Sequence, residues 1–125
     1  MSNRVLICDD SLLMRRMIAQ ALDETGWECI GEAENGEEAI HQFEKLRPDA
    51  VTMDIVMPEA DGIHGLKGIM KIDPDAKVVV ISAVDQSSLI SEAIRKGARD
   101  FIAKPFMPEQ LQQTLDSCVV STSAE

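Results

Sequence analysis

Five short apolar runs alternate with five stretches of helical periodicity along this 125-residue chain, and that alternation leaves few ways to fold. The runs occupy residues 5–8, 29–33, 50–53, 78–81 and 101–103. Four are apolar at nearly every position, as parallel strands covered on both faces must be. The second mixes in Glu and Gly and reads as an edge. Between the runs, Met14, Met17, Ile18 and Ala21 recur at i, i+3, i+4 and i+7, with Arg15, Arg16, Gln20 and Asp23 opposite. Ala39, Ile40 and Phe43 mark a second helix, Leu66, Ile69 and Met70 a third, and Leu89, Ile90, Ala93 and Ile94 a fourth. Leu111, Leu115, Cys118 and Val119 mark the last. Ser11 is placed to cap the first helix and Pro108 to open the fifth. Gly26 and Gly97 stand where the glycines that close the first and fourth helices belong. Strict alternation predicts an open, doubly wound α/β domain with a parallel five-stranded sheet. One domain spans residues 1–125, with 121–125 as a frayed tail.

Twelve basic residues against 22 acidic ones give a net charge of −10, which argues against nucleic acid or an anionic membrane as a partner. No apolar run approaches the roughly 18 residues of a membrane span, and the N-terminus does not read as a secretory signal. Three cysteines without a Cys-x-x-Cys pair suggest neither zinc nor a disulfide framework. Buried small hydrophobes in a reducing cytoplasm fit them better.

The unusual polar residues all fall at the carboxyl ends of the predicted strands. Asp9 and Asp10 end the first, Asp54 the third, Ser82 the fourth and Lys104 the fifth. In a parallel sheet these ends share one edge, the edge at which open α/β sheets bind ligands. Taken singly, such an Asp is a turn former or cap, and such a Lys is a solvated charge. Taken together they deliver three carboxylates, a hydroxyl and an ammonium to one rim. Three like charges in a cleft need an offset, and a hard cation with oxygen ligands provides one. Magnesium fits better than calcium, since it keeps waters for an incoming phosphoryl oxygen; manganese is an acceptable substitute. Zinc is disfavoured, because His41 and His64 fall in helical stretches away from this rim. Beside such a cation a carboxylate can attack phosphorus and form an aspartyl phosphate, with Lys104 and Ser82 meeting the phosphoryl oxygens.

Asp9-Asp10, Asp54, Ser82 and Lys104-Pro105, with Met57-Pro58-Glu59-Ala60-Asp61-Gly62 after the third strand, resemble the receiver domains of two-component response regulators. The resemblance covers residues 4–120, and the lack of an output domain brings the chain nearest the single-domain chemotaxis receivers. It implies a flavodoxin-like sheet in the order 2-1-3-4-5, which the periodicity alone does not specify. It also implies roles. Asp54 is the phosphoacceptor for a histidine kinase's phosphohistidine. Asp10 binds magnesium directly, Asp9 largely through water, and the Val56 backbone carbonyl completes the protein ligands. Lys104 pairs with the phosphoryl group, and the Lys104–Pro105 peptide is cis. Ser82 swings toward the phosphoryl oxygens, and Phe101, the aromatic switch, turns inward behind it. A new surface on the fourth helix, fifth strand and fifth helix is then offered to a downstream protein, with the flagellar motor switch the leading candidate.

Phe101 lacks the hydroxyl of the more frequent Tyr, so no side-chain hydrogen bond can belong to its switch, and plain core is its alternative role. Val56 and Val84 border the attacking water in this family. Both are apolar and cannot orient it, so self-dephosphorylation is expected to be slow. A phosphoryl half-life of seconds without a phosphatase would contradict this.

The expected molecule is thus a cytoplasmic, monomeric, phosphorylation-dependent switch that is not an enzyme beyond its own phosphorylation and dephosphorylation. A phosphorelay or stress-signalling receiver is an alternative pathway. A small aspartyl-nucleophile phosphatase is an alternative class, but it should carry Asp-x-Asp and a substrate-enclosing cap, whereas Asp9 and Asp10 are adjacent. A docking module that has abandoned phosphorylation should have lost Asp54, Lys104 or the acidic pair.

Overall fold

The apolar runs form strands β1 (Asn3–Cys8), β2 (Trp27–Ala33), β3 (Ala50–Asp54), β4 (Val78–Ala83) and β5 (Asp100–Lys104). The amphipathic stretches form helices α1 (Leu12–Leu22), α2 (Gly36–Leu46), α3 (Gly62–Ile72), α4 (Ser87–Arg95) and α5 (Pro108–Ser123). The computed structural model describes residues 3–23, 25–57, 61–83 and 86–123, with side chains to residue 119. All strand pairs are parallel and lie in the order β2-β1-β3-β4-β5, so β2 is an edge strand.

Side chains alternate across a strand, and here both faces are covered. Val5 and Ile7 of β1 point to the side of α1 and α5, where they join Ile18, Leu22, Leu111, Leu115 and Cys118. Leu6 and Cys8 point to the side of α2, α3 and α4, among Phe43, Leu66, Ile69 and Ala93. Two cores sandwich one sheet, which explains why these runs are apolar throughout rather than at alternate positions.

The helix ends follow ordinary capping chemistry. Ser11 Oγ accepts from the Met14 N–H at 3.2 Å, Asn35 Oδ1 from Glu38 at 2.9 Å, and Asp61 Oδ1 from His64 at 3.0 Å. Gly97 follows α4 with φ +118°, the left-handed closure that glycine permits. Gly26 also has positive φ, but it lies in the turn into β2, because α1 ends at Leu22 and Asp23 takes its C-cap.

Three further expectations about the fold change. Helix α1 buries Arg15, Ile18 and Leu22, while Met17 is half-exposed; its inward stripe is rotated relative to the run from Met14 to Ala21. Helix α5 extends through Ser123, so residues 121–123 are helical rather than frayed. No Gly or Pro follows Val119 to stop propagation. Cys8 and Cys118 are buried as expected, but Cys29, on edge strand β2, is only half-buried.

Candidate functional site

The order of the sheet reverses between β1 and β3, so a crevice opens beyond their carboxyl ends. Cys8 pairs with Met53 in the parallel register, and one further step sets Asp9 beside Asp54. Across β3 and β4 the register carries Asp54 against Ile81, and across β4 and β5 it carries Ala83 against Lys104. Strand pairing, not loop chance, brings these residues together.

One carboxylate oxygen each from Asp9, Asp10 and Asp54 lies within 4.8 Å of the others. Asp9 is 1% and Asp54 7% exposed, whereas Asp10 faces solvent. Asp9 Oδ1 accepts the Ser11 N–H at 2.9 Å, which fixes its carboxylate at the mouth of α1. Lys104 reaches over the pair, its Nζ 3.4 Å from Asp54 Oδ1 and 3.5 Å from Asp9 Oδ2. The Lys104–Pro105 peptide is cis. Burial, reinforced by the Asp9 charge, pushes the Asp54 carboxyl up to about 6 against the pull of Lys104. One ammonium leaves the trio short of neutralising charge. An all-oxygen, acceptor-only donor set with one solvent-facing member suits a hard, partly hydrated cation such as magnesium or manganese, and not zinc.

The opening of α3 is pressed against this site. Gly62 N–H donates to the Ile55 carbonyl at 2.8 Å, and a Cβ on Gly62 would meet the Asp54 carbonyl oxygen at 2.2 Å. Only glycine allows the helix to begin so close to the Asp54 backbone.

The remaining expected residues stand as follows. Ser82 is fully buried at the end of β4, and its hydroxyl bonds to Gln86 Oε1 at 2.6 Å and to the Ala83 carbonyl at 3.1 Å, not to the carboxylates. Phe101 is 43% exposed on β5, which removes its alternative role as core. Val56, two residues past Asp54, is half-exposed. Val84, Pro58, Glu59 and Ala60 lie outside the described residues. His41 sits within α2. His64 departs from expectation: a helix that follows a parallel strand starts at the strand's carboxyl edge, so the first turn of α3 brings His64 to that end. There it pairs with Glu37 of α2 rather than with the acidic trio.

Two residues escaped the sequence reading. Arg15, assigned to the solvent face of α1, is 7% exposed. Its Nε meets Glu32 Oε1 at 2.7 Å and its Nη1 donates to the Asp9 carbonyl at 2.7 Å, which ties α1 and β2 to the loop that carries the acidic pair. Its spacing of three before Ile18 and seven before Leu22 was the available signal. Gln86 had none, because a glutamine four residues beyond a serine is ordinary loop sequence.

A parallel sheet in this order, with three carboxylates and a lysine gathered at its switch point, defines the receiver class of signalling domain. Residues 5–116 match the response regulator receiver domain family, and the chain belongs to it. Among its relatives is the chemotaxis protein CheY of Thermotoga maritima, 50% identical over 116 residues that cover 93% of this chain and 97% of that one. CheY of Bacillus subtilis is 45% identical over the same shares. Among solved structures, a chain of the CheX–CheY–BeF3–Mg2+ complex from Borrelia burgdorferi superposes with a TM-score of 0.88 at 36% identity, covering 94% of this chain and 89% of that one. The chain is a receiver domain of the CheY-like chemotaxis response regulators, which are signalling proteins rather than turnover enzymes.

Proposed function

We propose that Asp54 accepts a phosphoryl group from the phosphohistidine of a sensor histidine kinase, and that the modified protein changes its affinity for a downstream partner in chemotaxis. The observation that carries this reading is the convergence of Asp9, Asp10 and Asp54 under the Lys104 ammonium. A carboxylate oxygen of Asp54 attacks phosphorus as the donor's phosphorus–nitrogen bond breaks. The imidazole leaves with the bonding electrons and takes up a proton. Asp54 is ionised at neutral pH despite its raised pKa, so the nucleophile is in the reactive form.

Phosphoryl transfer asks chiefly for position and compensating charge. Lys104 supplies one positive charge from the protein. A magnesium ion, or manganese in its place, held by Asp9, Asp10, Asp54 and the Val56 carbonyl supplies the rest. Ser82 donates a hydrogen bond to a phosphoryl oxygen, and Phe101 follows it inward. That movement biases two pre-existing arrangements and alters the face formed by α4, β5 and α5. Exposed Ile94 of α4 and Phe101 of β5 give that face apolar anchors for a partner, the flagellar motor switch being the leading candidate. We place the monomeric protein in the cytoplasm, where its thiols stay reduced. Among the described residues no helix is long and apolar enough to cross a membrane.

Incubation with magnesium and a small acyl phosphate is the direct test. The protein should acquire one acid-labile phosphoryl group, absent in Asp54→Ala. Catalytic release of phosphate would instead mark a phosphatase, and no incorporation would mark a docking module.

A further inference from the structure

The Ser82 hydroxyl and the Ala83 N–H, two neighbouring donors at the end of β4, converge on one acceptor, Gln86 Oε1, at 2.6 and 3.1 Å. A backbone N–H can only donate, so this contact fixes the carboxamide with its oxygen toward β4. Ser82 is fully buried and has a single proton to give. The Ala83 carbonyl also lies within reach of it at 3.1 Å, but Gln86 Oε1 at 2.6 Å is the nearer acceptor, and while the proton serves Gln86 it cannot serve a phosphoryl oxygen. Gln86 is also the residue from which α4 starts. Its main-chain carbonyl accepts from the Ile90 N–H at 3.0 Å, and its side chain, turned back to β4, gives the helix no cap. Helix α4 fully buries only Ala93 among its nine residues; its first turn is held besides by half-buried Leu89 and Ile90 against the core and by the Gln86 N–H on the Ala83 carbonyl at 3.2 Å.

We infer that Gln86 is a positioning residue that keeps the Ser82 and Ala83 donors engaged in the unphosphorylated protein and releases the start of α4 when a phosphoryl oxygen takes them. The exchange runs in the right direction, because an anionic oxygen forms hydrogen bonds roughly twice as strong as a neutral amide does. The hydroxyl and the helix are thereby coupled through one side chain rather than through a general shift of the loop. This inference rests on the reading that Ser82 donates to the phosphoryl group.

Beryllofluoride, a phosphoryl mimic, titrated at saturating Mg2+ and followed by 19F NMR, tests both. Gln86→Met and Gln86→Ala remove the nearer of the hydroxyl's two acceptors, leaving the Ala83 carbonyl at 3.1 Å, and should each raise beryllofluoride affinity about fivefold, the scale of one net hydrogen bond. An unfolded variant would lose affinity rather than gain it. In a Ser82→Ala background the gain should fall below about twofold, since only the Ala83 donor remains to be freed. Equal gains in both backgrounds, or no gain in the Ser82 protein, overturn the role of Gln86 while leaving Ser82 as a donor. Unchanged affinity in Ser82→Ala alone overturns the donor reading and the inference with it.

Discussion

Burial and the charge of Asp9 raise the Asp54 carboxyl from 3.8 to about 6, and Lys104 only partly opposes them. The folded protein therefore holds this proton more tightly than the unfolded chain does, and ionisation of Asp54 destabilises the fold. The destabilisation is absent below pH 4, grows as pH rises from about 4 to 6 and is complete at pH 7. In magnesium-free buffer Asp54→Asn should raise unfolding free energy at pH 7 by on the order of 2 kcal/mol and leave it unchanged below pH 4. Urea titrations across that range check the prediction; a pH-independent gain would contradict it. Arg15 works with the opposite sign. Arg15→Met strands the Asp9 carbonyl and leaves Glu32 unpaired, and it should cost roughly 2 kcal/mol in the same assay. A loss under about half a kilocalorie would show that water replaces the guanidinium. Asp9, Asp54 and Lys104 were legible because each interrupts an apolar run. Arg15 was not, because a charge on a helix is ordinarily a solvated charge.

Helix α3 shows how an element can be placed by a single missing side chain. Replacing glycine with alanine inside a helix ordinarily gains about 1 kcal/mol in propensity. At Gly62 the added carbon would meet the Asp54 carbonyl at 2.2 Å, a backbone atom fixed in a strand that is paired on both sides. The clash wins. Gly62→Ala should lower stability by roughly 2 kcal/mol net and weaken phosphoryl uptake, because either α3 or Asp54 must move. Acyl phosphate incorporation that matches the parent protein would refute this. Sequence periodicity located helices α1 to α5 but misjudged the buried face of α1. Methionine and alanine give weak directional signals, and the stripe of Arg15, Ile18 and Leu22 includes a charge that hydropathy assigns outward. The end of α5 was underestimated for a different reason: polar residues need not stop a helix that has already nucleated.

Across the whole molecule, the sheet separates chemistry from its one tryptophan. Trp27 pairs with Asn3 at the first register position of β1 and β2, the amino edge, and its Nε1 donates to Asp116 Oδ1 of α5 at 2.8 Å. It is buried in the core beneath α1 and α5. Magnesium titration should therefore leave Trp27 emission nearly unchanged, and strong quenching would contradict this placement. The layered fold was legible because short runs apolar on both faces, alternating strictly with amphipathic helical stretches, fit parallel strands in a covered sheet. The strand order was not, since hydropathy records burial and not adjacency; family resemblance supplied it. The sheet's own ladder has a last consequence. Every reactive group stands at or just past a strand terminus whose height is set by neighbouring strands, while the exposed side chains of Ile94 on α4 and Phe101 on β5 hold no part of the cup. The trigger can thus pass unaltered from lineage to lineage while the outer skin is rewritten for a new addressee.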